Sequence, residues 1–255
     1  MSTLSAVILT RDEEKHLPEC LASVSWADEM LVLDSFSTDR TLAIARASGA
    51  RVEQRRFEDF ALQRNAALQL ARGEWVLFVD ADERVSDALR HEIESLLSAA
   101  PQARTCEGFW IPRQNYIFGA WIRHAGWYPD WQLRLLLRQA ARYDVSRPVH
   151  ELVLLDGQAG KLCSHLVHLN YENVAEFVRK QKYYAAYEAQ KLLLAGERQR
   201  PHAYVLQPLR EFRRRLLTLG GWRDGWRGWM LSALMAWHTF DVYRQLRRLA
   251  QTQNG

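Results

Sequence analysis

Within the first 80 residues, short strand-like runs alternate with helix-like stretches, and this alternation constrains the fold more than any other feature of the chain. The runs are Ala6 to Thr10, Met30 to Leu33, Arg51 to Glu53 and Trp75 to Phe78. Most are apolar and β-branched, as strands buried on both faces are. Helices are expected between them: one through Leu17, Leu21 and Val24, one from Thr41 to Ala47, and one carrying Phe60, Leu62, Ala66, Leu68 and Leu70. Ser37 or Thr38 is a candidate cap for the second, and Gly73 a candidate stop for the third. Such repetition predicts an α/β fold with a parallel sheet and right-handed crossovers. Open sheets of this kind bind ligands at the C-terminal edge of their strands. Thr10-Arg11, Asp34 and Asp80-Ala81-Asp82 all fall on that edge.

The residues at the edge suggest chemistry. Asp80 and Asp82 close an apolar run, where the bending backbone lets one carboxylate face a metal and the other a sugar or ribose. Carboxylates suit Mg²⁺ or Mn²⁺, which bind through one or two acids plus substrate phosphates. Read alone, the pair is equally a set of turn residues, with Glu83 helping to start a helix at Ser86-Asp87. Asp34 can accept hydrogen bonds from a base or ribose, and Arg11 or Arg64 can stack on a base or bond a diphosphate. The chain has neither Gly-x-Gly-x-x-Gly after its first strand nor Gly-x-x-x-x-Gly-Lys anywhere. A dinucleotide fold and a P-loop are therefore unsupported.

Charge separates the end of the chain from the rest. From Pro201 onward there are nine Arg, no Lys and three acids, a local +6 against a total of +4, which leaves the remainder at about −2. Trp222, Trp226 and Trp229 follow at i, i+4 and i+7, with Arg213 and Arg214 upstream. Tryptophan and arginine on an amphipathic helix fit a membrane interface, or else packing against the catalytic domain or a second copy. The apolar stretch Trp229 to Trp237 is far shorter than a spanning helix. No targeting signal is visible, and three scattered cysteines fit a reduced compartment, so the expected location is cytoplasmic. The expected division is an α/β domain over 1–198, in two halves (1–100 and 101–198), followed by a basic, Trp-rich helical region over 199–255.

Several segments together resemble a known family. Val7 to Glu14, Leu31 to Asp39, Gln63 to Ala66 and Gly73 to Glu83 are similar, in order and spacing, to the signatures of family 2 glycosyltransferases with a GT-A fold. Tyr128 to Leu135, Pro148 to Glu151 and Asp224 to Gly228 resemble lipopolysaccharide inner-core β-glucosyltransferases of the WaaE/LgtF kind. There are departures: Ser35 stands where many relatives have a second acid, Phe36 where glycine is common, and Asp12 where many have Asn.

The resemblance implies a UDP-sugar donor held by Thr10, Arg11, Glu13, Asp34 and Arg64. Asp80 would face the ribose or sugar, and Asp82 would ligate Mg²⁺ or Mn²⁺. Inverting transfer needs a carboxylate to deprotonate the acceptor hydroxyl. Glu151, beside His150, is the first candidate for that base, and Asp130 the second. His150 could touch the diphosphate, ligate the metal or meet the acceptor, or be structural, whereas His165 and His168 fit a strand better than a metal site. Trp127 and Tyr128 are candidate acceptor contacts within an aromatic stretch that otherwise reads as the core of a second, antiparallel β-layer. The implied acceptor is the heptose region of lipid A-core at the cytoplasmic face of the inner membrane. A polyprenyl phosphate acceptor is the alternative. A nucleic-acid-binding protein using the basic tail is the alternative of another class, but no nucleic-acid motif supports it.

Overall fold

The computed structural model describes residues 2–99, 105–146, 152–196 and 202–253. By compactness these fall into two units: residues 1–113 with 131–168, and residues 114–130 with 169–255. This partition differs from the expected boundary at residue 198, because residues 114–130 and 169–198 are grouped with the tail.

In the first unit the expected alternation is present. Strands β1 (Leu4–Thr10), β2 (Glu29–Asp34), β3 (Arg51–Gln54) and β4 (Trp75–Asp80) are parallel neighbours in the order β3-β2-β1-β4. Side-chain alternation sends each strand into two cores. Ala6, Ile8, Val32, Leu77 and Val79 point to one, where α1 (Leu17–Val24), α2 (Thr41–Ala47) and α4 (Asp87–Ser98) supply Leu21, Ala45 and Ile93. Val7, Leu31, Leu33, Val76 and Phe78 point to the other, with Ala61, Ala67 and Leu68 of α3 (Phe60–Leu70). The sheet continues through β5 (Glu83–Val85), β6 (Gly108–Ile117), β8 (Asp130–Leu137) and β12 (Leu166–Tyr171), with β8 antiparallel to β4 and β12 antiparallel to β5. The short strands β7 (Ala120–Trp121) and β11 (Ala159–Lys161) pair with β6, while β9 (Ala141–Tyr143) and β10 (Val153–Leu155) form a separate hairpin.

Two local expectations are corrected. Neither Ser37 nor Thr38 caps α2; the Asp39 carboxylate accepts from Thr41 N at 2.9 Å instead. Gly73 does not stop α3, which ends at Leu70; a Cβ at Gly73 would lie 2.5 Å from Ser5 N, so its smallness lets the chain pass close to β1.

The second unit is largely helical. Helix α5 (Val174–Leu194) starts at an Asn173 cap and buries Phe177, Gln181, Ala185 and Ala189, one turn apart. Val174, in its first turn, is exposed. Helix α6 (Ala203–Arg213) runs into a π-helical turn (Arg214–Thr218), then a 3₁₀ turn (Gly221–Asp224), then α7 (Gly225–Gln253). Trp222 therefore lies outside the helix that holds Trp226 and Trp229, and the three indoles do not share one helical face. The break is built from glycines: a Cβ on Gly228 would sit 1.8 Å from the Gly221 carbonyl oxygen. Asp224 fixes the turn by accepting from His124 N at 2.8 Å and Arg123 N at 3.3 Å, with His124 Nδ1 3.0 Å away. Asp224→Ala orphans these donors and is expected to lower stability by about 1–3 kcal/mol, measurable by urea denaturation.

Candidate active site

The loops after β1 and β2 are laced together by side chains. Asp12 Oδ1 accepts from Thr38 N at 2.7 Å, Ser37 Oγ from Asp12 N at 2.8 Å, Thr41 Oγ1 from Glu13 N at 2.8 Å, and Asp39 Oδ2 from Glu14 N at 3.0 Å. Asp12 and Phe36 both have positive φ, 55° and 60°. That backbone suits Asn and Gly.

Asp34 sits at the centre of this lacing and is fully buried. Its oxygens accept from Thr10 Oγ1 (3.1 Å), Ser37 N (2.9 Å), Gln54 Nε2 (3.1 Å) and Ser37 Oγ. Asp34 and Thr10, both expected on the nucleoside, bond each other, and Asp34 joins the strand ends. Beside them a cleft of about 280 Å³ is lined by Thr10, Arg11, Glu13, Phe57, Phe60 and Gln63. Arg11 also lines an adjoining cleft with Phe36 and Arg56. Phe57 and Phe60 meet edge to face at 4.9 Å and are partly exposed, a surface on which a base can stack. Arg11 and Glu13, both expected on the donor, are on the cleft wall, and the sequence did not single out the two phenylalanines beside them.

Leu9 is in register with Asp80 and Thr10 with Asp34, so the end of β4 lies beside the laced loops. Asp80 accepts from Arg64 Nη2 and Arg134 Nη1, each at 3.1 Å, and from Arg134 Nη2. Glu83, fully buried, accepts from Asp80 N at 2.9 Å, Arg113 Nη1 at 3.1 Å and Arg134 Nη2 at 3.5 Å. Burial raises the Asp80 pKa, but Arg134 and Arg64 outweigh it and hold the carboxyl well below the usual range. Burial likewise disfavours the charge on Arg134, and Asp80 and Glu83 restore it to above its ordinary pKa. Arg64 is buried, with its guanidinium carbon 5.1 Å from the Phe78 ring centroid and 5.7 Å from that of Tyr143. Arg64 and Asp80, both expected on the donor, pair with each other at 3.1 Å, and the Asp80 side chain keeps 32% of its surface exposed.

Asp82 has a different neighbour. Its Oδ2 lies 3.4 Å from His168 Nε2, and its side chain is 27% exposed. The β12–β5 register sets this by pairing His168 with Glu83. His168 is a strand residue, as the sequence suggested, and also stands beside the acid. Among the described residues no group of three His, Cys, Asp or Glu could hold a metal alone. Asp82 and His168 would need substrate oxygens to complete a coordination shell.

In the second unit, Asp130 at the start of β8 accepts from Asn115 Nδ2 at 3.1 Å. Tyr128 packs edge-on against Trp121, with ring centroids 5.5 Å apart. Trp127, a candidate acceptor contact, packs on Tyr171 and Phe177 and lies under Arg215. Arg213, Trp222, Trp226 and Trp229 are exposed, and Arg214 pairs with Glu211 at 2.8 Å. His150 and Glu151 lie outside the described residues.

Comparison with known proteins gives a consistent set of matches. The family described as Glycosyl transferase family 2 matches residues 5–146. The lipopolysaccharide core biosynthesis glycosyltransferase LpsC of Rhizobium meliloti is 29% identical over 243 residues, covering 93% of this chain and 89% of that protein. A TPR repeat-containing protein of Synechococcus elongatus is 37% identical over 155 residues, 60% of this chain but only 36% of its own length. Among solved structures, glucosyl-3-phosphoglycerate synthase from Mycobacterium tuberculosis, crystallised with Mn²⁺, UDP and glucosyl-3-phosphoglycerate, is 19% identical and covers 72% of this chain and 78% of that one. Its TM-score is 0.47, too low to carry an argument about ligands.

Proposed function

The chain belongs to glycosyl transferase family 2, with the GT-A fold of nucleotide-sugar-dependent glycosyltransferases, and from that membership we propose that it moves glucose from UDP-glucose, with inversion, to the heptose region of the lipopolysaccharide inner core. The observation that carries the chemistry is the placing of Asp82 beside His168 at the end of β4. The similarity to LpsC along almost the whole chain supports the acceptor class.

In this reading the base lies in the cleft between Arg11, Glu13 and the Phe57–Phe60 pair. Asp82 and His168 are the residues that would hold a divalent cation. One carboxylate and one imidazole fit Mn²⁺ more readily than Mg²⁺, which favours an all-oxygen shell. When bound, the cation offsets charge on the departing diphosphate. Asp80 does not ligate it; Asp80 and Glu83 use Arg134, Arg64 and Arg113 to keep the 80–83 segment in shape. Glu151, or Asp130 in its place, takes the proton from the acceptor hydroxyl.

The test is a donor screen: binding and hydrolysis of UDP-glucose, UDP-galactose, UDP-N-acetylglucosamine and GDP-mannose, with and without Mn²⁺ or Mg²⁺. Metal-dependent preference for UDP-glucose is expected, followed by transfer to a core truncated before the glucose. Preference for another donor would remove the glucose assignment and leave the family. His168→Ala should weaken Mn²⁺ binding in the presence of UDP by at least about tenfold, read by titration calorimetry; an unchanged affinity would leave Asp82 without its partner ligand. Glu151→Gln should keep donor binding and slow transfer by about 10²–10⁴-fold, and if Asp130→Asn does so instead, Asp130 is the base.

A further inference from the structure

The tail hairpin carries an apolar surface that its own core does not use. Leu206 and Leu209 of α6, Leu217 in the π-helical turn, Trp222 in the 3₁₀ turn, and Trp226 and Trp229 at the start of α7 are each 48–60% exposed. The two helices run antiparallel, since Phe212 meets Trp229 with ring centroids 6.3 Å apart and Tyr204 meets Phe240 at 6.5 Å. These side chains therefore come from adjoining helices and the turns that join them. Soluble monomers seldom leave this many large apolar groups together at the surface without a use for them.

Cations accompany the indoles. The guanidinium carbon of Arg223 lies 5.2 Å from the Trp222 ring centroid, and that of Arg227 lies 4.7 Å from Trp226. Arg210 and Arg213 are also exposed, in a region that holds nine Arg and three acids. No helix among the described residues is long and apolar enough to cross a membrane. Amphipathic indoles settle at headgroup depth, and arginines beside them favour acidic lipid. We propose that α6, the two turns and the first turns of α7 form an interfacial anchor that lies on an anionic bilayer surface, with Trp222, Trp226 and Trp229 at headgroup level. The proposal stands on this surface alone and does not depend on the identity of the sugar donor.

The experiment uses the full chain and vesicles of phosphatidylglycerol with phosphatidylcholine, compared with phosphatidylcholine alone, with no sugar nucleotide present. Flotation with the acidic vesicles is expected, with tryptophan emission shifted to the blue and quenched by brominated lipid. Each of Arg210→Gln, Arg213→Gln and Arg223→Gln should weaken partitioning roughly fivefold. Trp226→Ala with Trp229→Ala should weaken it roughly tenfold or more, with circular dichroism confirming that the helices persist. The quenching in the unaltered protein keeps the test valid if that double variant does not fold. Failure to float, flotation insensitive to the tryptophans, or absence of quenching would overturn the proposal. So would a solution dimer that buries these indoles, or salt-sensitive binding to single-stranded RNA in place of vesicles.

Discussion

Arg134→Met is expected to lower stability by about 3–5 kcal/mol, because it strips Asp80 and the fully buried Glu83 of a shared cation while leaving both carboxylates in place. Arg64 and Arg113 remain, each on one acid, so the segment does not lose every partner. The loss depends on pH with a definite sign. Asp80 has a depressed pKa in the folded chain, so its contribution is complete above the unfolded value of about 4 and disappears as pH falls through the folded one. The gap between wild type and variant should therefore be widest near neutrality and narrow in acid, which urea titrations across that range would read. Arg134→Lys should recover only part of the loss, because an ammonium cannot reproduce the two-nitrogen grip on Asp80. A cost under about 1 kcal/mol, the level of an exposed pair, would mean that Arg64 alone suffices.

Asp82→Ala should have the reverse profile. Transfer is expected to fall on the order of 10²–10³-fold or more, while stability changes by about 0.5 kcal/mol or less. The reason is location: the Asp82 side chain is 27% exposed and stands 3.4 Å from His168. Initial rates of UDP release against Mn²⁺ concentration, paired with a thermal melt, would test both halves. Asp80→Ala makes the contrast, because it leaves Arg134 buried without its principal counter-charge and should fail in stability before it fails in chemistry. Full activity in Asp82→Ala would remove the metal from this position.

The first four strands and their helices were legible because each pattern answers to local physics. Apolar runs are short, helices show 3.6-residue spacing, and the strand ends fall where polar residues begin. The position of Asp82 on the crevice edge was legible for the same reason. The partner of each site residue was not. Arg134 stands in a segment whose resemblance could be recognised, yet nothing in its neighbours tells that β8 lies antiparallel to β4 and brings the guanidinium to Asp80. His168 likewise meets Asp82 through pairing between strands some 80 residues apart. Asp34 was legible as a strand end, but the hydrogen bonds it accepts from Ser37, Gln54 and Thr10 were not. In the tail, the i, i+4, i+7 spacing of the tryptophans suggested one helical face while Gly220, Gly221, Gly225 and Gly228 counted against a single rod, and the chain does break before α7.

That break has a consequence for how the tail responds to ionic strength. The approach of Gly228 to the Gly221 carbonyl is a matter of excluded volume, in which no charge takes part. Added salt screens the arginines from an acidic surface within a Debye length, but it does not alter the elbow that spaces the indoles. Attraction and presentation are thus set by different atoms. Salt should tune how often the hairpin lands on a bilayer, while the depth reached by the tryptophans once it has landed stays the same.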